Sequence, residues 1–159
     1  MNRVLGLTLG LVMTLWASPA FADLTAFLGS TTTPDARRAA GVALGAGLLV
    51  VGFEFEYSAT DEDVLAAAPS LKSGMGNLWL QTPVSFLRMQ PYFTTGGGVY
   101  QERLGAHERT AFGGNIGGGV KIALVGPLRL RLDYRAFNLG SDALTSPAHR
   151  VYAGLNLRF

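Results

Sequence analysis

From Leu128 to Ala136 the chain alternates without interruption. Leu128, Leu130, Leu132, Tyr134 and Ala136 are apolar or aromatic, and Arg129, Arg131, Asp133 and Arg135 between them are charged. A period of two predicts an extended strand with two unlike faces, whereas a helix would spread those charges around its circumference. The end of the chain repeats the pattern: Val151, Ala153, Leu155, Leu157 and Phe159 oppose Arg150, Tyr152, Gly154, Asn156 and Arg158. Phe53, Phe55 and Tyr57 oppose Glu54, Glu56 and Ser58, and the glycine-rich stretch from Phe112 to Ile122 alternates in the same way.

With the weaker segments included, eight strands are predicted near residues 24–30, 40–48, 52–60, 72–82, 90–101, 110–122, 128–138 and 149–159. Most have the roughly 9–11 residues with which a tilted strand crosses a bilayer. The connections alternate in length. Those near 31–39, 61–71, 102–109 and 139–148 are long, and those near 49–51, 83–89 and 123–127 are short. Long loops on one side and short turns on the other predict an all-β, eight-stranded, antiparallel up-and-down transmembrane barrel. A soluble barrel would also show period two, but with the apolar face inward and the polar face in water. Here the polar faces are rich in glycine and hold few charges, and the apolar faces exceed what so small an interior could hide.

Composition sharpens this picture. The 159 residues are 48% hydrophobic and 15% charged, with 21 glycines and no cysteine. That excludes a charge-rich disordered chain, a disulfide scaffold and a thiolate metal site or nucleophile. The net charge of +2 is scattered, so no nucleic-acid partner is expected. Residues 1–22 read as a signal peptide, with Arg3, the apolar run Val4 to Trp16, and Ala20-Phe21-Ala22 directing cleavage before Asp23. Residues 23–159 then form the barrel.

The exported eight-strand pattern and the ending Tyr152-Ala153-Gly154-Leu155-Asn156-Leu157-Arg158-Phe159 resemble bacterial outer-membrane β-barrels of the OmpA-like and opacity-protein-like superfamily. Pro91-Tyr92-Phe93 with Gly96-Gly97-Gly98, and Gly113 to Lys121, are similar to mid-barrel strands of that group. The resemblance implies a Gram-negative outer membrane as location, with lipid and lipopolysaccharide around the barrel. It also implies periplasmic chaperones and the barrel assembly machinery as partners, with Tyr152, Leu155, Leu157 and Phe159 as the assembly signal. A monomer is expected. The superfamily is united by architecture and includes adhesins, receptors, structural proteins and a few enzymes, so the resemblance leaves activity open.

Facing inward, Glu54, Glu56, Lys121, Arg129, Arg131, Asp133, Arg135 and Arg158 are expected to pair as a salt-bridge network filling the lumen, because unpaired buried charge is costly. Arg37, Arg38, Arg103 and Arg109 are expected at the outer rim, where they could meet lipopolysaccharide phosphates. Phe27, Tyr57, Tyr92, Tyr100, Phe112, Phe137 and Phe159 fall near strand ends, as interfacial girdles do, and Trp79 falls inward. No cofactor, metal site or catalytic residue is expected. Glycine runs such as 45–50 complete no phosphate-binding fingerprint, and the Glu54/Glu56 pair inside a filled barrel has no room for a sugar. The function expected is structural or surface contact. Two rivals are a narrow pore and a lipid-A-modifying enzyme, for which His149 with Ser146, Ser141 and Asp142 offers the nearest material. His107, in the third outer loop, has no partner at a telling spacing.

Overall fold

The computed structural model describes residues 20–159. Of the segment read as a signal peptide, residues 1–19 lie outside that range, and Ala20, Phe21 and Ala22 open the first strand. Eight strands follow in chain order: β1 (Ala20–Thr31), β2 (Arg37–Leu48), β3 (Val51–Thr60), β4 (Ser70–Gln81), β5 (Met89–Leu104), β6 (His107–Ala123), β7 (Leu128–Asn138) and β8 (Ala148–Arg158). Each pairs antiparallel with the next, and β8 returns to β1, with Leu24 opposite Leu157 and Phe27 opposite Gly154. Closure removes every sheet edge along the shared length of the wall.

Burial follows the period-two pattern, inverted relative to a soluble barrel. Leu44, Phe53, Phe55, Leu78, Leu80 and Phe93 stand exposed on the outer wall, while the charged and amide side chains of alternate positions are buried inside. One residue of register slip would reverse every such assignment, so the alternation itself fixes the pairing.

Two expectations are corrected. The segment 102–109 is not a long loop: β5 and β6 continue through it as a protruding hairpin and turn at Gly105 and Ala106. Gly105 at φ +58° supplies the left-handed residue that so tight a turn requires. The aromatic girdle is also smaller than expected. Tyr57, Phe112 and Phe159 are exposed on the outside, but Phe27, Tyr92, Tyr100 and Phe137 are buried in the interior. Nearness to a strand end does not decide this. Parity does, and these four share theirs with inward polar neighbours.

At the end where β4 meets β5, the indole of Trp79 fills the barrel's inner mouth. Its cross-strand neighbour Gly52, and Gly47 opposite that, leave the space it occupies: a Cβ on Gly52 would stand 2.0 Å from Trp79, and one on Gly47 2.4 Å. At the other end Leu71, Met75, Tyr100, Phe137, Leu139 and Ala148 form an apolar cap over the lumen.

Candidate functional site: the charged lumen and the outer rim

Between these two apolar layers the interior is filled by charge. Arg131 of β7 makes a two-point pair with Glu54 of β3, with Nη2 3.2 Å from Oε1 and Nη1 on Oε2, and lies 3.2 Å from Asp133. Its Nε donates to Tyr92 Oη at 2.7 Å, and the Tyr92 hydroxyl donates to Asp133. Arg135 lies 2.9 Å from Glu54 and 3.0 Å from Asp133. Its Nη1 also stands 3.0 Å from Glu56 Oε2, as an ionic contact rather than a directed hydrogen bond. Lys121 pairs with Asp23 at 2.7 Å beneath the Trp79 ring, 4.8 Å from its centroid.

Six of the eight charges predicted for the lumen are therefore brought together there, and two are not. Arg129 is half-buried at the inner mouth, donating to Gln90 Oε1 at 2.9 Å. Arg158, also half-buried, lies 3.8 Å over the Phe21 ring. Two members were missed by sequence reasoning. Arg150 donates to Ser58 Oγ at 2.6 Å and pairs with Glu56, its guanidinium packed between Phe27 and Phe137. Asp23 holds Lys121. Parity could have found both, since Arg150 alternates with Val151, and Asp23 with Leu24.

Among the described residues, counted with the outer mouth, the buried charges balance: Asp23, Glu54, Glu56, Glu102 and Asp133 against Arg37, Lys121, Arg131, Arg135 and Arg150. A neutral, cross-linked set is what makes such burial tolerable, because each ion's lost hydration is offset by opposed neighbours. Amide and hydroxyl pairs complete the filling, with Asn115 Nδ2 donating to Asn77 Oδ1 at 2.8 Å and Ser58 meeting Ser73 at 2.8 Å.

The four arginines predicted for the rim divide in two. Arg37 points inward and donates to Thr33 O at 2.7 Å, and Arg109 is held by Asp142 of the β7–β8 loop at 3.2 Å. These two are committed to loop carbonyls and carboxylates and do not present a free outward charge. Arg38 and Arg103 are exposed on outward positions, Arg103 within 3.5 Å of Glu62. Of the assembly-signal residues, Leu155, Leu157 and Phe159 face outward, whereas Tyr152 is buried in the lumen, stacked on Phe27 at 4.0 Å.

His149 faces outward at the rim, its Nδ1 2.8 Å from Tyr134 Oη. Ser146 Oγ does not meet it; it accepts the Leu139 amide at 3.1 Å. His107 sits exposed beside the hairpin turn. Among the described residues, no three histidine or acidic side chains gather as metal ligands would.

This architecture is that of the outer-membrane β-barrels. The N-terminal β-barrel domain of Pseudomonas aeruginosa OprF matches it with a TM-score of 0.68 at 13% identity, covering 87% of this chain and 97% of that one. Neisserial surface protein A matches with a TM-score of 0.62 at 15% identity over 87% and 94% of the two chains. The outer membrane enzyme PagL matches with a TM-score of 0.53 at 16% identity over 86% and 98%. At these identities the likeness is one of fold. No protein-family model and no curated protein matches the chain by sequence.

Proposed function

We propose that this protein is a monomeric outer-membrane barrel with a sealed lumen, serving envelope structure and surface contact and carrying no catalysis. The observation that carries the reading is the pairing of an apolar outer wall with a charge-balanced, cross-linked interior. Lipid satisfies the wall, and only a closed barrel satisfies its own backbone there. An interior packed with paired arginine and carboxylate side chains favours a sealed lumen over a conducting one. Export proceeds behind the signal peptide of residues 1–22, whose removal starts the mature first strand at Asp23 and takes away the Phe21 ring under Arg158, and periplasmic chaperones and the barrel assembly machinery deliver the chain. Leu155, Leu157 and Phe159 present the terminal assembly signal. At the outer rim, Arg38 and Arg103 meet lipopolysaccharide phosphates.

A lipid-A-modifying activity is the competing reading, favoured by the fold's likeness to the enzyme PagL and by His149 beside Tyr134 at the rim. Among the described residues no serine hydroxyl contacts that imidazole, because Ser146 Oγ accepts the Leu139 amide instead and only the Tyr134 phenol reaches the ring. The test is direct. The mature band should be confined to the outer-membrane fraction and migrate differently on a detergent gel with and without boiling, and the purified barrel should give no steady conductance in a planar bilayer. A protein free in the periplasm would overturn the reading, and steady conductance steps would overturn the sealed lumen. Release of acyl chains from labelled lipopolysaccharide, abolished by His149→Ala, would establish the enzyme instead.

A further inference from the structure

The three connections at the end opposite the long loops are unexpectedly apolar. Leu49 and Val50 join β2 to β3; Val84, Phe86 and Leu87 lie between β4 and β5; Leu124 and Val125 lie between β6 and β7. Val84, Phe86 and Leu87 are each 72% exposed and Val125 is 77% exposed, values that interior packing cannot explain.

The last two turns are one body. Because β5 pairs with β6, they stand side by side; Ala123 donates to Arg88 O at 2.9 Å, and the Arg88 guanidinium donates to Leu124 O. Phe86 and Met89 exchange two backbone hydrogen bonds at 2.9 Å each, which closes a turn through Leu87 and Arg88. Those two residues adopt φ of 50° and 67°, a region that side-chain-bearing residues seldom occupy. The turn thus holds Phe86 and Leu87 out from the barrel.

Charge distinguishes what would cover this platform. The three turns contain no Asp or Glu, and Arg88 is exposed within them. Arg129 and Arg158 stand half-buried at the same mouth, and Asp23, an acidic side chain at this end of the barrel, is buried on Lys121. Met89 and Leu80, both exposed, stand on the outer wall at the ends of the strands that the β4–β5 turn joins. Apolar side chains beside cations that form no salt bridge among the described residues, next to an apolar outer wall, match the boundary between acyl chains and anionic headgroups.

We infer that the β4–β5 and β6–β7 turns form an interfacial platform that seats in anionic phospholipid of the inner leaflet, with Phe86, Leu87 and Val125 among the acyl chains and Arg88 on headgroup phosphate. This rests on the membrane reading above. It gives the barrel a second, chemically distinct lipid contact at the end opposite Arg38 and Arg103.

The absence of cysteine makes the test clean. Single nitroxide labels at Phe86→Cys and Val125→Cys are compared, in phosphatidylcholine vesicles containing phosphatidylglycerol, with Phe53→Cys on the wall and Leu65→Cys on an outer loop. Labels at 86 and 125 should favour oxygen over an aqueous nickel relaxant, as the label at 53 does. Spin-labelled phosphatidylglycerol should associate with the barrel severalfold more than phosphatidylcholine, and Arg88→Gln should bring that ratio close to one. If 86 and 125 behave like 65 while 53 lies in lipid, the platform stands in water, open to a periplasmic protein, and the inference fails alone. An undiminished ratio in Arg88→Gln removes the headgroup contact. If 53 also reads as aqueous, the membrane reading falls with it.

Discussion

Arg131 and Glu54 face each other across the lumen in a two-point ion pair, although 77 positions separate them in the chain. The pair joins β7 to β3, strands that share no backbone ladder. Side-chain charge therefore braces the barrel across its diameter, while main-chain bonds close it around its circumference. Glu54 is also the acceptor for Arg135, so it stands at the junction of two cations.

Removing that junction should be expensive. Glu54→Gln keeps the shape but leaves two guanidiniums short of one negative charge, and breaking a buried pair costs about 3–5 kcal/mol. Urea unfolding of the refolded barrel in detergent micelles should show a lowered midpoint of that order. Arg131→Met alone should be similarly damaging. The Glu54→Gln/Arg131→Met double variant should lose less than the two single losses combined, because the residues act as one unit. Additive losses would mean that the pair contributes nothing as a pair.

The Trp79 site makes a different demand, for volume. Gly52→Ala places a Cβ 2.0 Å from the indole, and neither the strand backbone nor a buried ring can move far. Overpacking of this kind costs about 1–3 kcal/mol. The loss should be visible as a lower unfolding midpoint and a changed near-ultraviolet signal from Trp79. Trp79→Leu in the same chain should recover most of the stability. Failure to recover would place the damage in the strand rather than at the ring.

The elements of this fold are readable from alternation, because each strand must present one face to a charged interior and the other to an apolar exterior. That constraint holds residue by residue, and it is why Arg131, Asp133 and Arg135 fall inward where the period places them. Partner choice is not readable in that way. Which carboxylate meets Arg131 depends on how far each strand is staggered around the closed wall, a property of all eight pairings together. The misassigned aromatics show a second limit. Phe137 lies at a strand end as girdle residues do and Phe27 lies inside β1, yet both are buried, packing the Arg150 guanidinium between them. The third outer connection failed for a local reason: the polar run from Arg103 to Arg109 reads as loop, but its charges lie on paired strands outside the barrel, with Arg103 opposite Glu108.

The rim arginines provide a prediction with internal controls. Arg38 and Arg103 are exposed on outward positions, Arg103 with a 3.5 Å contact to Glu62, whereas Arg37 is buried on the Thr33 carbonyl and Arg109 donates to Asp142. Arg38→Glu/Arg103→Glu should lower retention of lipopolysaccharide by the purified barrel several-fold, read by quantifying co-purified lipid phosphate. Each exposed contact of this kind is worth about 1 kcal/mol near a charged surface. Arg37→Gln should leave retention unchanged and instead loosen the β1–β2 loop, detectable as faster proteolysis. Equal effects from both sets would show that retention depends on total charge rather than on direction.

The terminal residue separates assembly from stability. Phe159 is 68% exposed on the outer wall, so its ring has little packing to lose. Phe159→Ala should still refold in detergent, with a loss of stability no greater than the about 1.5–3 kcal/mol that an apolar side chain gains on leaving water. In cells the same substitution should reduce the heat-modifiable, membrane-inserted form several-fold, with unassembled chain appearing in the periplasm, if the aromatic end is read by the assembly machinery. Tyr152→Phe supplies the contrast. Its hydroxyl has no hydrogen-bond partner among the described residues, and its ring packs on Phe27 from inside the barrel, where a receptor reading the outer face cannot reach it. That variant should assemble normally in cells and refold normally in detergent. An assembly defect in Tyr152→Phe together with none in Phe159→Ala would move the signal from the outer face of β8 to its inner one.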